Sequence, residues 1–439
     1  MRRVTSDVAG TALLTDHYEL TMLQAALHSG AAHRDCVFEV FARRLPDGRR
    51  YGVVAGTGRV IEAIRRFRFG DDEIAFLREH QVVDETTLEF LAGYRFRGDV
   101  WGYPEGEVYF PGSPILVVEG TFAEACILET LVLSIMNHDS AIAGAGSRMV
   151  TAAEERPLIE MGSRRTHEEA AVAAARAAYI VGFDKTSNLE AGRRYGVPTT
   201  GTSAHSFTLL HDTEHDAFQA QVESLGTGTT LLVDTYDVKA AVAQAVAVAG
   251  PELGGVRLDS GDLVAQAREV RVQLDELGAT RTRITVTSDL DEYAIAALAA
   301  APVDGYGVGT SLVTGSGAPT AGMVYKLVSR KGEDGQWVSV AKASTSKASV
   351  GGRKYALRRL DERGAAEAEV IGIGERPVDD GNDRELLVQL MAGGEACGDQ
   401  SLAAARARHE ASVAELPARA RRLSRGEPAI PTIYEDDER

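Results

Sequence analysis

The sequence predicts an α/β protein: a distorted (β/α) barrel joined to a second, smaller mixed α/β domain built from the N- and C-terminal segments. Three observations predict it. From about residue 157, short apolar stretches end in polar clusters and are each followed by an amphipathic helical pattern. These units recur every 20 to 30 residues or so, the length of one strand, one helix and their loops. Many βα units in succession require a parallel sheet and favour a barrel. Finally, the rhythm is absent before about residue 120 and after about residue 330, and 439 residues exceed one ordinary domain. The expected division is 1–120, 121–330 and 331–439, the last segment returning to the smaller domain.

Residues 16–29 (DHYELTMLQAALHS) carry a helical period, and 36–43 (CVFEVFAR) alternate as a strand. Residues 94–120, rich in aromatics, Gly and Pro, suggest short antiparallel strands with turns. Thr121 and Glu124 form a capping box before a long Ala- and Leu-rich helix. The strand ends of the repeating region are PLIEMGSRR (157–165), GVPTTGTSAH (196–205), TTLLVDTYD (229–237), GGVRLDSGD (254–262), RITVTSDLD (283–291) and VDGYGVGTS (303–311). Beyond residue 330, GEDGQW reads as a hairpin turn and KASTSKASVGGRKYALRR as polar and β-like. ARARHEASVAELPARARRL reads as a charged helix, and EDDER as a frayed end.

Composition narrows the function. A formal charge of -17 excludes a general nucleic-acid binder, because a polyanion needs a basic face. Cys36, Cys126 and Cys397 are too far apart and too few for a zinc site or a disulfide framework, which fits a reducing, cytoplasmic compartment. The first residues lack the apolar core of a signal peptide, and no apolar run reaches the roughly 18 residues that span a membrane.

In a barrel the active site lies at the carboxyl ends of the strands, where the polar clusters here fall. They contain Arg164, Arg165, Thr202, His205, Asp234, Arg257, Asp259, Asp289 and Thr310. In SRRTHEE, Thr166 and Glu169 read as a second capping box, so a helix starts just after two guanidinium groups. That is an anion site or a solvated helix start. GYGVGTS, with Gly309 and Thr310, is either a backbone cradle for a phosphate or a plain tight turn; it lacks the GxxxxGK[ST] and GxGxxG patterns. Arg257 and Asp259 are two apart on a strand and face one side, where they require partners or a ligand. Asp234, Asp259 and Asp289 would suit a magnesium ion and sugar hydroxyls, although Asp234 and Asp289, like Ser260 and Asp262, would also serve as helix caps. His205 ends a strand among these carboxylates, either as a hydrogen-bonded structural residue or as a reactive imidazole. A hydrolase triad is not indicated, because GxSxG is absent.

Taken in order, TDHYELTM, GTSAHSF, VRLDSGDL and GVGTSLV with GMVYKLV resemble the motifs of the nicotinate phosphoribosyltransferase family, from about Leu14 to Lys326. The resemblance implies joining of nicotinate to phosphoribosyl pyrophosphate (PRPP) to give nicotinate mononucleotide and diphosphate, with Mg2+ and with ATP as co-substrate. It also implies a homodimer with sites at the subunit boundary. His205 would be the histidine that ATP phosphorylates. Tyr18, acting from the partner subunit, would stack on the pyridine ring, and Met161 stands where relatives stack an aromatic on the other face. Thr202 and Arg257 would lie beside nicotinate, and Arg164 by its carboxylate or the ribose phosphate. Asp234 and Asp259 would hold ribose hydroxyls or metal, and Gly309 and Thr310 the 5′-phosphate. A sister family that acts on nicotinamide has Asp where this chain has Ser187; an Asp there would repel a carboxylate substrate. Three other readings remain open from the residues: that nicotinamide enzyme, an unrelated metal-dependent barrel enzyme, and a silent binding paralogue.

Overall fold

The computed structural model describes residues 10–342 and 349–435. The first nine residues, part of the KASTSK stretch and the last four residues lie outside the described residues. The chain forms two compact units, Met1–Ala141 with Thr320–Arg439, and Ile142–Pro319.

The flanking unit is the larger one, not the smaller, and its boundaries fall at 141/142 and 319/320 instead of 120/121 and 330/331. The cause is the long helix Glu129–Ala153. Its first turns bury Leu131, Val132, Ile135 and Met136 in the core of the flanking unit. Asn137 then fixes the returning chain, accepting from Met323 N at 2.8 Å and donating to Met323 O at 3.2 Å. The Thr121–Glu124 capping box is present, but it opens a single turn, Phe122–Ala125, ahead of the long helix. The central sheet of this unit has seven strands, with Asp35–Ala42 antiparallel to both Met323–Lys331 and Leu116–Thr121. Asp99–Gly102 extends it toward Val388–Ala392. The GEDGQW turn does join a hairpin, with Lys331 opposite Trp337. A second, four-stranded sheet contains Lys354–Leu360, Ala366–Ile373 and Thr432–Glu435. The expected helices are His17–Ser29 and Leu402–Glu415.

The other unit carries six parallel strands: β1 Leu158–Glu160, β2 Lys185–Thr186, β3 Thr230–Leu232, β4 Gly255–Leu258, β5 Arg283–Ser288 and β6 Gly305–Val308. Their order is β2-β1-β6-β5-β4-β3. The barrel is distorted to the point of opening: the edge strands β2 and β3 are not bonded to each other among the described residues, which leaves a half-barrel. Val256, Leu258, Ile284, Val286, Tyr306 and Val308 are all fully buried, as strands covered on both faces must be. The register aligns the strand ends, pairing Thr186 with Glu160, Glu160 with Val308, Val308 with Ser288, and Leu232 with Arg257.

Five of the six expected strand ends coincide with these strands. The run 196–205 does not form one. Thr199 makes a single bridge to Thr186, and the chain then runs extended into the short helix His205–Leu210. Pro198 has no N–H for a ladder, and the Thr–Gly run offers no apolar row to bury. The edge position is taken by the two residues of β2.

Candidate active site

The loops after β3, β4 and β5 each hold two carboxylates, and the structure separates their duties. The second of each pair caps the following helix: Asp237 accepts from Ala240 N, Asp262 from Ala265 N, and Asp291 from Tyr293 N and Ala294 N. Asp234, Asp259 and Asp289 are thereby released from capping. Asp234 and Asp259 converge. Asp234 Oδ2 accepts from Asp259 N (2.9 Å) and Ser260 Oγ (3.0 Å). Asp259 Oδ1 accepts from Thr287 Oγ1 across the β4–β5 boundary.

His205 stands over this pair. Its Nδ1 lies 3.2 Å from Thr235 Oγ1. Its Nε2 lies 3.9 Å from Asp234 Oδ1 and 3.8 Å from Asp259 Oδ2, close enough for charge to act but beyond hydrogen-bond length. Arg257 donates from one terminal nitrogen to Thr202 Oγ1 (3.3 Å) and Ser203 O (3.2 Å). Burial pulls the Arg257 pKa down, Asp259 and Asp234 push it back up, and the charge of nearby Arg164 lowers it.

Two polar atoms here are buried without a hydrogen-bond partner among the described residues: Asp234 Oδ1 and Arg257 Nε. A buried carboxylate oxygen and a buried guanidinium N–H left idle are costly unless a ligand completes them. Hard carboxylate oxygens are also the donors that Mg2+ selects, so Asp234 and Asp259 fit that ion chemically.

On the other side of the half-barrel, Met161 N donates to Val308 O (2.7 Å). Gly307 permits this approach, since a Cβ there would sit 2.5 Å from Thr287 Cγ2 and 2.8 Å from Met161 Sδ. Gly309 and Thr310 form the turn that begins the short helix Thr310–Val313. Ser187 N donates to Glu160 O (2.9 Å).

Not every expected residue joins the cluster. Asp289 is exposed in the turn after β5 and forms no side-chain hydrogen bond or ion pair among the described residues. Arg164 and Arg165 are exposed, and the capping box read at Thr166 is absent. The helix begins at Glu168, and His167 caps it by accepting from Glu169 N at 3.3 Å. An imidazole one residue later satisfies the N–H that the Thr was expected to take. Tyr18 belongs to the flanking unit, where it is half exposed. Partial burial and then the Glu129, Glu19 and Asp16 carboxylates push its phenol up to about 12.

Sequence reasoning missed Thr235, Thr287, Ser203 and Glu160. Ser203 and Thr235 differ in nothing from the other hydroxyls and carbonyls of polar loops, and Thr287 in nothing from other threonines of a strand. Glu160 carried a signal, a charged residue in the middle of the apolar run PLIEM. It is fully buried, and burial raises its pKa while the bonds from Thr186 and Gly162 lower it.

A family model for the N-terminal domain of nicotinate phosphoribosyltransferase matches residues 13–137. The chain is 60% identical to nicotinate phosphoribosyltransferase pncB1 of Mycobacterium tuberculosis, with 97% of this chain and 95% of the relative covered. It is 37% identical to nicotinate phosphoribosyltransferase of Bacillus subtilis, over 84% and 77% of the two chains. The crystal structure of human nicotinic acid phosphoribosyltransferase superposes with a TM-score of 0.82 at 27% identity, covering 96% of this chain and 98% of the human one.

Proposed function

Because this chain belongs to the nicotinate phosphoribosyltransferase family, we propose that it is an enzyme that joins nicotinate to PRPP, releasing diphosphate and nicotinate mononucleotide, the entry of nicotinate into NAD salvage. The observation that carries the reading is the His205 imidazole set between Asp234 and Asp259, beside idle polar atoms on Asp234 and Arg257. A ligand rich in hydroxyl and phosphate oxygens supplies what those atoms lack.

Transfer needs no protein nucleophile on the sugar. The C1–diphosphate bond breaks as the pyridine nitrogen approaches, so C1 passes through an oxocarbenium-like state. Proximity and charge stabilisation account for most of the acceleration. Arg257, held by Thr202 and Ser203, and Arg164 supply positive charge. Gly309 and Thr310 receive the 5′-phosphate. Mg2+ would be held by Asp234 and Asp259 and would supply positive charge to the diphosphate.

The second reaction is carried by His205. Nδ1 lies within reach of the Thr235 hydroxyl; in the tautomer that donates Nδ1–H to it, Nε2 presents its lone pair. An N–P bond forms as the γ-phosphoryl–ADP bond breaks; water later returns phosphate and free imidazole, coupling ATP hydrolysis to synthesis. Tyr18 of a second subunit would stack on the ring, which makes the enzyme a homodimer. The exposed apolar residues Leu14, Tyr18 and Met22, four apart along the start of the chain, support such a contact. Three free cysteines fit a cytoplasmic setting, and no helix among the described residues is long and apolar enough to cross a membrane.

The direct test is incubation with nicotinate, PRPP, Mg2+ and ATP, followed by detection of nicotinate mononucleotide. No product would reject the function. Nicotinamide offered in competition separates the sister activity, and Ser187 favours nicotinate. In His205→Ala, slow transfer persists while ATP no longer stimulates it; undiminished ATP stimulation would remove His205 from its role.

A further inference from the structure

Glu160 lies at the carboxyl end of β1 with its side chain fully buried, and no step above uses it. Its two oxygens are committed in different directions. Oε1 accepts from Gly162 N, which fixes the turn that carries Met161 and leads to Arg164. Oε2 accepts from Thr186 Oγ1, the last residue of β2. The main-chain oxygen of Glu160 accepts from Ser187 N at 2.9 Å. Thr186 Oγ1 in turn accepts from Asn188 N at 2.9 Å, and Asn188 Nδ2 donates to Ser163 Oγ at 3.0 Å. One buried carboxyl thus sits at the centre of a closed set of bonds tying 160–163 to 186–188. Those two segments contain Met161 and Ser187.

We infer that Glu160 is a positioning residue for the pyridine acid: through Gly162 and Thr186 it holds Met161 and Ser187 at the separation that admits nicotinate and disfavours its amide. The inference rests on the nicotinate reading above. The Gly162 N–H can only donate, and the Thr186 hydroxyl, which already accepts from Asn188 N, gives its hydrogen to the second carboxyl oxygen. A glutamine whose oxygen serves Gly162 N turns an N–H onto Thr186 Oγ1 and deprives that hydroxyl's hydrogen of its acceptor, and loss of the Thr186 hydroxyl leaves a buried oxygen idle. The backbone then relaxes where the ring substituent is read, while the His205–Asp234–Asp259 cluster is left alone.

The test uses the full chain and three variants, Glu160→Gln, Thr186→Val and Thr186→Ser, with nicotinate and PRPP varied separately and nicotinamide as competing base. In Thr186→Val the KM for nicotinate rises about tenfold, the scale of one unsatisfied buried polar group. The KM for PRPP and kcat stay within about twofold, and the preference for nicotinate over nicotinamide falls. Thr186→Ser, which restores the hydroxyl, returns both quantities to about the parent values. Glu160→Gln matches or exceeds Thr186→Val. Unchanged nicotinate KM in folded Thr186→Val, or a parallel loss of kcat and both KM values, overturns the inference whether or not Glu160→Gln folds. A parent enzyme that forms no nicotinate mononucleotide instead rejects the underlying function, and with it this role.

Discussion

Asp234 and Asp237, like Asp259 and Asp262, stand three residues apart, yet one member of each pair caps a helix and the other points into the site. The difference is measurable. Asp262→Ala removes a cap and lowers stability by about 1 kcal/mol in urea unfolding, with KM for PRPP little changed. Asp234→Asn keeps the shape and removes the charge; turnover falls by about 100-fold or more while stability holds or rises, since a buried charge has been removed. Equal losses of stability in the two variants would contradict the division. The sequence set Asp259, two residues after Arg257, apart from the capping candidate Asp262, but left Asp234 open between cap and ligand, because spacing alone suits either. His409 offers a test far from the site. Burial brings its pKa down to about 4, and its Nδ1 donates to Gly106 O at 3.1 Å. The unfolded imidazole titrates near 6.5, so the unfolded chain binds more protons between these values. The stability contributed by neutral His409 is complete above pH 6.5 and is lost as pH falls toward 4, to a limit of roughly 3 kcal/mol. His409→Leu flattens the slope of unfolding free energy against pH across that window; an unaltered slope would assign the dependence elsewhere.

Elements with a strong period were legible. The helix at 16–29, the strand at 36–43 and the hairpin around 332–336 lie within a residue or two of their expected bounds, because an apolar row or a Gly turn marks each. The edge of the half-barrel was not. β2 has two residues, too few to display a period, whereas 196–205 is extended enough to imitate a strand. The packing of helix Leu402–Glu415 was equally hidden. It passes so close to the turn at Gly106 that a Cβ there would lie 2.1 Å from Ala405 O, at a φ of 94° that side chains rarely adopt. Gly106→Ala therefore costs about 2 kcal/mol or more, read as a lowered urea midpoint, with the site's ligand affinities retained. A neutral substitution would refute so tight an approach.

For the molecule as a whole, the sequence disclosed two units and the class of each, but reversed their sizes, since nothing local says that a helix opening the barrel segment is buried first in its neighbour. The proposed homodimer is tested by mixing. Tyr18→Ala and His205→Ala are each impaired alone; co-refolded, they regain up to about a quarter of parental ATP-stimulated turnover, because random pairing leaves one intact site in each mixed dimer, half of all dimers. No recovery would confine each site to one chain. The flanking sheets also set an order for biosynthesis. Asp35–Ala42 waits for Met323–Lys331, Asp99–Gly102 for Val388–Ala392, and Ala366–Ile373 for Thr432–Glu435. A ribosome therefore releases an uninterrupted half-barrel segment well before the earliest-made strands meet their mates, and a premature stop codon late in the message strands the beginning of the polypeptide as well as its end.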